Sequence, residues 1–211
     1  MFDRDGLIDL VDCLIDEYGM AEYFHAHFHD KTDMYDWVRK SGVEEKLNLY
    51  YTSGATKGVI VPADGDYVIK FNLIGETCNY CGREYENWCL AEEAGLGHYF
   101  AETIYLTSCG KMVFYAQRMA VCDETAEDSM YYTLRDRYED DHCEYDVDNL
   151  WNIIDEMEAD ERVELLFGND ELCDFIRSRR INDLHGANFG MIDGQFVLID
   201  YSGFGRQVFE E

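Results

Sequence analysis

Basic residues are scarce in this chain. Seventeen Lys and Arg stand against 45 Asp and Glu, a formal net charge of −28 over 211 residues. Such a surface repels phosphate backbones and anionic headgroups, which argues against direct nucleic-acid binding and against a membrane surface as partner. Proline is nearly missing, with Pro62 alone, and no repeat or low-complexity linker marks a boundary, so the chain has to be divided by pattern. No stretch approaches the roughly 20 apolar residues that cross a bilayer. The opening segment, Met1 to Cys13, carries acids where a secretory signal needs basic residues and an unbroken apolar run. The eight Cys are therefore expected to be reduced, mostly small buried hydrophobes, in a cytoplasmic protein.

What is plentiful is apolar and aromatic. Hydrophobic residues make up 47% and aromatics 15%, with 16 Tyr and 12 Phe, enough to offset the conformational entropy of a folded chain. The acidic excess then reads first as a solubilising surface. A second reading, that of an acidic mimic occupying a basic partner, draws on the same charge.

Apolar positions at helical spacing (Leu7, Ile8, Leu10, Val11, Leu14, Ile15) open residues 5–29, which pass into an aromatic, His-rich stretch. A short helix is expected from Thr32 to Lys40, stopped by Ser41-Gly42. Three β-rich runs follow, Leu47–Tyr51, Gly58–Val61 and Tyr67–Phe71, then a helix over 80–94. Strands Ala101–Leu106 and Met112–Gln117 are joined by a turn at Thr107–Gly110, and helices are expected over 124–138, 147–159 and 161–179. A hairpin, Phe189–Met191 with Phe196–Ile199 around Asp193-Gly194, comes last.

Two segments carry chemistry. Asn182-Asp183-Leu184-His185-Gly186-Ala187-Asn188 places an Asp five residues before an Asn, and Val197-Leu198-Ile199-Asp200-Tyr201-Ser202-Gly203 places a second Asp twelve residues further on. Upstream, Val68-Ile69-Lys70 ends a strand, and Glu84 lies fourteen residues later on the expected helix. With these residues the sequence resembles the protein-kinase-like superfamily, its catalytic loop being closest to the aminoglycoside and choline kinase branch. The resemblance spans about residues 50–205.

The resemblance implies an α+β, two-lobed protein-kinase-like fold. A five-stranded antiparallel sheet plus one helix would form the N-lobe, beside a reduced helical C-lobe and extra N-terminal helices. The divisions expected are 1–48 for the helical extension, 49–120 for the N-lobe and 121–211 for the C-lobe. It also implies an ATP- and Mg2+-dependent phosphotransferase acting on an unidentified acceptor, with transfer of AMP left open. Asn188 and Asp200 would hold Mg2+, for which Asn and Asp oxygens are suited ligands. Asp183 would orient or deprotonate the acceptor, and His185 would support the loop. Lys70 would contact the α- and β-phosphates with Glu84 as its partner; Glu86 faces another side of the helix. Gly54, Thr56 and Gly58 would cover the phosphates, and backbone groups of Gln117 and Met119 would meet adenine.

The sequence departs from the family in four places. Ile181-Asn182 replace the usual pair before Asp183, Tyr201-Ser202-Gly203 extend the loop after Asp200, the phosphate loop lacks its full glycine set, and few residues follow Gly203. The alternative reading is a nucleotide-binding pseudokinase, or an acidic decoy that binds and inhibits a protein partner. Cys78-Asn-Tyr-Cys81 has the spacing of half a zinc site but lacks a second half. His25, His27 and His29 read as a packed or solvated aromatic helix sooner than as metal ligands.

Overall fold

The apolar spacing near the start becomes helix α1 (Arg4–Asp16), followed by α2 (Met20–His27), α3 (Lys31–Ser41) and the short α4 (Val43–Leu47). The computed structural model describes residues 4–27, 31–54, 56–73, 79–122, 124–141, 157–184 and 186–203. Gly19 and Gly42, with φ of 63° and 64°, separate these helices, since the left-handed backbone favours a residue without Cβ. His29, Cys78 and His185 lie outside the described residues, as does most of the helix expected over 147–159.

A five-stranded antiparallel sheet follows, in the order β1-β2-β3-β5-β4. Its strands are β1 (Leu49–Ser53), β2 (Lys57–Pro62), β3 (Tyr67–Asn72), β4 (Thr103–Cys109) and β5 (Met112–Arg118), with helix α5 (Tyr80–Glu93) between β3 and β4. The turn expected at Thr107–Gly110 is shorter than the sequence suggests. Cys109 pairs with Met112, leaving Gly110-Lys111 as the turn, with Gly110 at φ 60°.

Alternation gives this sheet two distinct faces. Ile60, Ile69 and Ala116 lie in register across three strands, as do Phe71 and Phe114. They pack in one core with Leu7, Val11 and Leu14 of α1 and with Met34 and Trp37 of α3. The N-terminal helices therefore cover one sheet face, each buried Leu or Phe contributing about 1.5–3 kcal/mol. Both sheet edges are blunted by side chains. Glu44 accepts the Tyr51 N–H at 2.9 Å beside β1, and the Arg4 guanidinium donates to the Tyr105 carbonyl on β4 at 3.3 Å.

Among the described residues there follow α6 (Glu124–Asp141), α7 (Ala159–Phe167), α8 (Asp170–Arg179) and the hairpin β6 (Phe189–Ile192) and β7 (Gln195–Leu198), with short 3-10 turns at Gly97–Tyr99 and Gly186–Asn188. The single helix expected over 161–179 is two. Gly168 ends α7 in the left-handed conformation, and the Asn169 side chain caps α8 by accepting from the Leu172 N–H. A second core joins Phe100, Leu134, Val163, Leu166, Leu172, Ile176, Leu198 and Tyr201 among others.

By its contacts the chain divides into two compact units, Met1–Glu86 with Glu102–Met119, and Asn87–Ala101 with Ala120–Glu211. Residues 1–48 thus belong with the sheet, as one of its layers, instead of forming a separate extension. Residues 87–101 belong with the second unit. Among the described residues no helix is long and apolar enough to cross a membrane.

Candidate functional site

The first set of side chains stands on the sheet face turned away from the N-terminal helices. Val59, Lys70 and Tyr115 are in register across β2, β3 and β5, and Lys57 pairs with Asn72. Lys57 and Lys70 are therefore diagonal neighbours on this face, a relation that spans about 7–8 Å. Glu84 of α5 reaches both. Its Oε1 lies 2.5 Å from the Lys57 Nζ and its Oε2 lies 3.2 Å from the Lys70 Nζ. Glu84 is 0% exposed, Lys57 4% and Lys70 8%. Charged groups this deeply buried persist only when paired, since an isolated ion would forfeit its hydration. Glu86, two residues on, is exposed. The expected Lys70–Glu84 partnership is present in the geometry, and Lys57 joins it.

Lys57 was missed by the sequence reading. Its signal was a lysine two positions before Val59 on a strand whose neighbouring residues are all apolar, but a strand-end lysine is ordinarily solvated. Burial of the phenol raises the Tyr115 pKa, only partly offset by the hydrogen bond from Asn79. Beside the lysines Tyr115 therefore remains a neutral hydroxyl.

The phosphate-covering segment has a tighter construction than expected. Ser53 pairs with Gly58, and the Gly54 N–H donates to the Lys57 carbonyl at 3.0 Å. The Thr56 carbonyl accepts the Leu73 N–H at 2.8 Å. A Cβ on Gly58 would stand 2.4 Å from the Phe71 ring, so packing against Phe71 alone requires glycine there, whatever approaches the loop. Gly54 has open space around it.

The segment expected to meet adenine through the backbone of Gln117 and Met119 lies at the end of β5. The Met119 N–H donates to the Asp66 carbonyl at 2.8 Å. Gln117 is 2% exposed, lies between β3 and β4, and donates its amide to the Thr103 hydroxyl at 3.1 Å. The chain's own acceptors thus hold the Met119 backbone N–H and the Gln117 side-chain amide.

The second set belongs to the other unit. Asp193 and Gly194 have φ of 52° and 80°, the paired positive angles of a two-residue hairpin turn. That turn fixes the register Ile192 to Gln195 and Phe189 to Leu198. One step further, the Ile199 N–H donates to the Asn188 carbonyl at 2.9 Å. Asn188 and Asp200 are consequently delivered to the same end of the hairpin. Asn188 is 5% exposed, and its amide nitrogen donates to the Asp183 carbonyl, which turns the amide oxygen away as an acceptor. Asp183 and Asp200 are half-buried.

The surrounding chain is held from several sides. The Arg162 guanidinium donates to the Leu184 carbonyl at 2.6 Å. Tyr201 is fully buried, with its hydroxyl donating to the Ala101 carbonyl at 2.7 Å and its carbonyl accepting from Asn87 at 2.8 Å. Arg179 donates to the Asn87 amide oxygen at 2.8 Å. Ser202 donates to an Asp200 carboxylate oxygen at 3.3 Å. Gly203, at φ 70°, passes the Arg180 carbonyl so closely that a Cβ would stand 2.3 Å from its oxygen.

No protein-family model, curated protein or solved structure matches this chain.

The metal assignment therefore rests on donor chemistry. Among the described residues no group of three or more His, Cys, Asp or Glu is placed to hold a metal ion. Asn188 and Asp200 offer one amide oxygen and one carboxylate, both hard donors. That pair fits Mg2+, which takes one or two protein ligands and completes its shell with water and substrate phosphates. Cys81 is buried and in no disulfide.

Proposed function

We propose that this chain is an ATP- and Mg2+-dependent phosphotransferase on a minimal, two-lobed kinase-like fold. The observation that carries the reading is the buried ion pair of Lys70 and Glu84, 3.2 Å apart, with Glu84 fully enclosed. It sits where the resemblance asks for it, on the third strand of a five-stranded antiparallel sheet and on the helix that follows. Asp183, Asn188 and Asp200 add support by falling in the required order around a hairpin.

In this reading Lys70 binds the α- and β-phosphates, and Glu84 fixes the direction of its ammonium. Asn188 and Asp200 would hold Mg2+, which when bound supplies neutralising charge to the phosphoryl oxygens. Asp183 accepts a hydrogen bond from the acceptor hydroxyl and takes up its proton as the hydroxyl attacks. Phosphoryl transfer asks little covalent chemistry of a protein, so positioning dominates. The bonds from Asn188 to the Asp183 carbonyl and from Arg162 to the Leu184 carbonyl serve that end, since both restrain the backbone that carries Asp183.

Calorimetric titration of ATP, with and without Mg2+, tests the binding half. Native protein is expected to bind with Mg2+, and Asp200→Ala to lose at least about 10-fold in Mg2+-dependent affinity, one hydrogen-bonded or ionic contact's worth. Unchanged affinity in that variant would remove the metal assignment. Incubation with labelled ATP, Mg2+ and a lysate tests transfer, which Asp183→Ala is expected to lower by about 10²–10⁴-fold. ATP binding with no transfer would indicate a pseudokinase. Stoichiometric partner capture with no ATP binding would indicate an acidic decoy.

A further inference from the structure

Glu84 is approached by two ammonium groups, one on each carboxylate oxygen, and the shorter distance belongs to the lysine that the phosphate reading leaves idle. Lys57 Nζ stands 2.5 Å from Oε1, against 3.2 Å from Lys70 Nζ to Oε2. The two lysines come from adjacent strands, diagonal on one sheet face, so the carboxylate enters between them. All three groups are buried. A lysine that must turn its ammonium towards a phosphate weakens its hold on its own carboxylate partner, and a fully enclosed carboxylate cannot fall back on water.

We infer that Lys57 is the positioning residue of this cluster. It neutralises and orients Glu84 so that Lys70 can exchange carboxylate for phosphate without leaving a buried charge uncompensated. The inference rests on the phosphate role of Lys70 proposed above, and it adds a division of labour. Lys57 holds the glutamate, and Lys70 is shared between glutamate and ligand. The stem of Lys57 at the start of β2 suits this task, because the Leu73 N–H and the Gly54 N–H anchor the backbone on either side of it through Thr56 and Lys57 itself.

The test is a four-member cycle of native chain, Lys57→Met, Glu84→Gln and Lys57→Met/Glu84→Gln, with Lys57→Arg as the conservative variant. Thermal unfolding and Mg2+·ATP titration are measured on each. Lys57→Met is expected to lower the unfolding midpoint by roughly 5 °C, as for the loss of one of two ionic contacts to a buried carboxylate in a chain of this size. The double variant should lose less than the sum of the two single variants, because with an amide at position 84 the removal of Lys57 also removes one of two ammonium groups left without a carboxylate. A merely structural lysine would leave ATP affinity untouched once the protein is folded. Here Lys57→Met is expected to bind Mg2+·ATP at least about 10-fold more weakly, since Glu84 then retains Lys70. Lys57→Arg should stay within about 3-fold of native, and the double variant should return to the affinity of Glu84→Gln alone.

If Lys57→Met does not fold and the double variant does, the assignment is supported in its strongest form. Additive effects of the two substitutions on the midpoint would overturn it, as would native ATP affinity in folded Lys57→Met. Should the native chain bind no ATP at all, the phosphotransferase reading fails instead, and the stability cycle alone decides whether Lys57 compensates Glu84.

Discussion

In the first unit the candidate charges are closed off from water and answer one another. Lys57, Lys70 and Glu84 are 4%, 8% and 0% exposed, and they meet on both oxygens of one carboxylate. In the second unit the two acids are half-buried, and what is buried is the neutral Asn188, tied to the Asp183 carbonyl. A closed ionic cluster is bound up with folding, because each member removed strands the others in a low-dielectric interior. Acids that keep contact with water can be replaced at small cost to the fold. Stability measurements should therefore respond to the first set and ligand measurements to both.

The sharpest way to break this contrast is Glu84→Ala. It leaves two buried ammonium groups without the carboxylate between them, and a loss of about 3–5 kcal/mol is expected in urea unfolding. Asp200→Ala should stay within about 1 kcal/mol in the same assay. If the two variants unfold alike, the distinction between a closed and an open set is wrong.

Much of the first unit was legible in the sequence because it is written in period two. Alternation along Tyr67–Phe71 and Met112–Gln117 places Ile69 and Phe114 on one face and Lys70 on the other, and the family resemblance then named Glu84 as the partner of Lys70. The hairpin around Asp193-Gly194 was equally plain, since few residues other than Asp-Gly suit two consecutive positive φ angles. Lys57 was not legible, because the burial of a strand-end lysine here depends on Glu84, 27 residues further along the chain. The contacts of Met119 and Gln117 escaped for a similar reason. Their acceptors, the Asp66 carbonyl and the Thr103 hydroxyl, are set by the sheet order β3-β5-β4, which no local pattern reveals. The break between α7 and α8 could have been read from Gly168-Asn169, a stop followed by a cap.

Two glycines sharpen the comparison at an intermediate scale. Gly58→Ala in the first unit drives a Cβ into the ring of Phe71, itself fully buried. Gly203→Ala in the second drives one towards the Arg180 backbone carbonyl, at a φ of 70° that L side chains rarely adopt. Overpacking a core costs about 1–3 kcal/mol, and a strained left-handed residue adds about 1–2 kcal/mol. Gly203→Ala should therefore be the more damaging in urea unfolding. It should also depress Mg2+-dependent ATP affinity, because the displaced segment begins at Asp200. Gly58→Ala should lower stability, with its effect on ATP confined to what the loss of stability explains. The reverse ranking would mean that ring packing in the first unit is the stiffer constraint.

The smallest expected effect is a pH dependence carried by a buried phenol of the first unit. Burial pushes the Tyr67 phenol up to about 12, helped by its hydrogen bond to the Glu102 carboxylate, 2.6 Å away. The ordinary phenol value is 10.0. A group whose folded pKa is raised contributes stability that is complete below its unfolded pKa and disappears as pH climbs through the folded one. For Tyr67 the contribution is thus whole below pH 10 and fades between about 10 and 12, because the phenolate would lie buried against a carboxylate. Urea midpoints measured from pH 8 to 12 should fall more steeply for the native chain than for Tyr67→Phe. Some slope must survive in that variant, since burial also raises Tyr51 and Tyr115. Parallel slopes in the two proteins would show that Glu102 meets a solvated phenol, and that this end of the sheet is as open as the acids of the second unit.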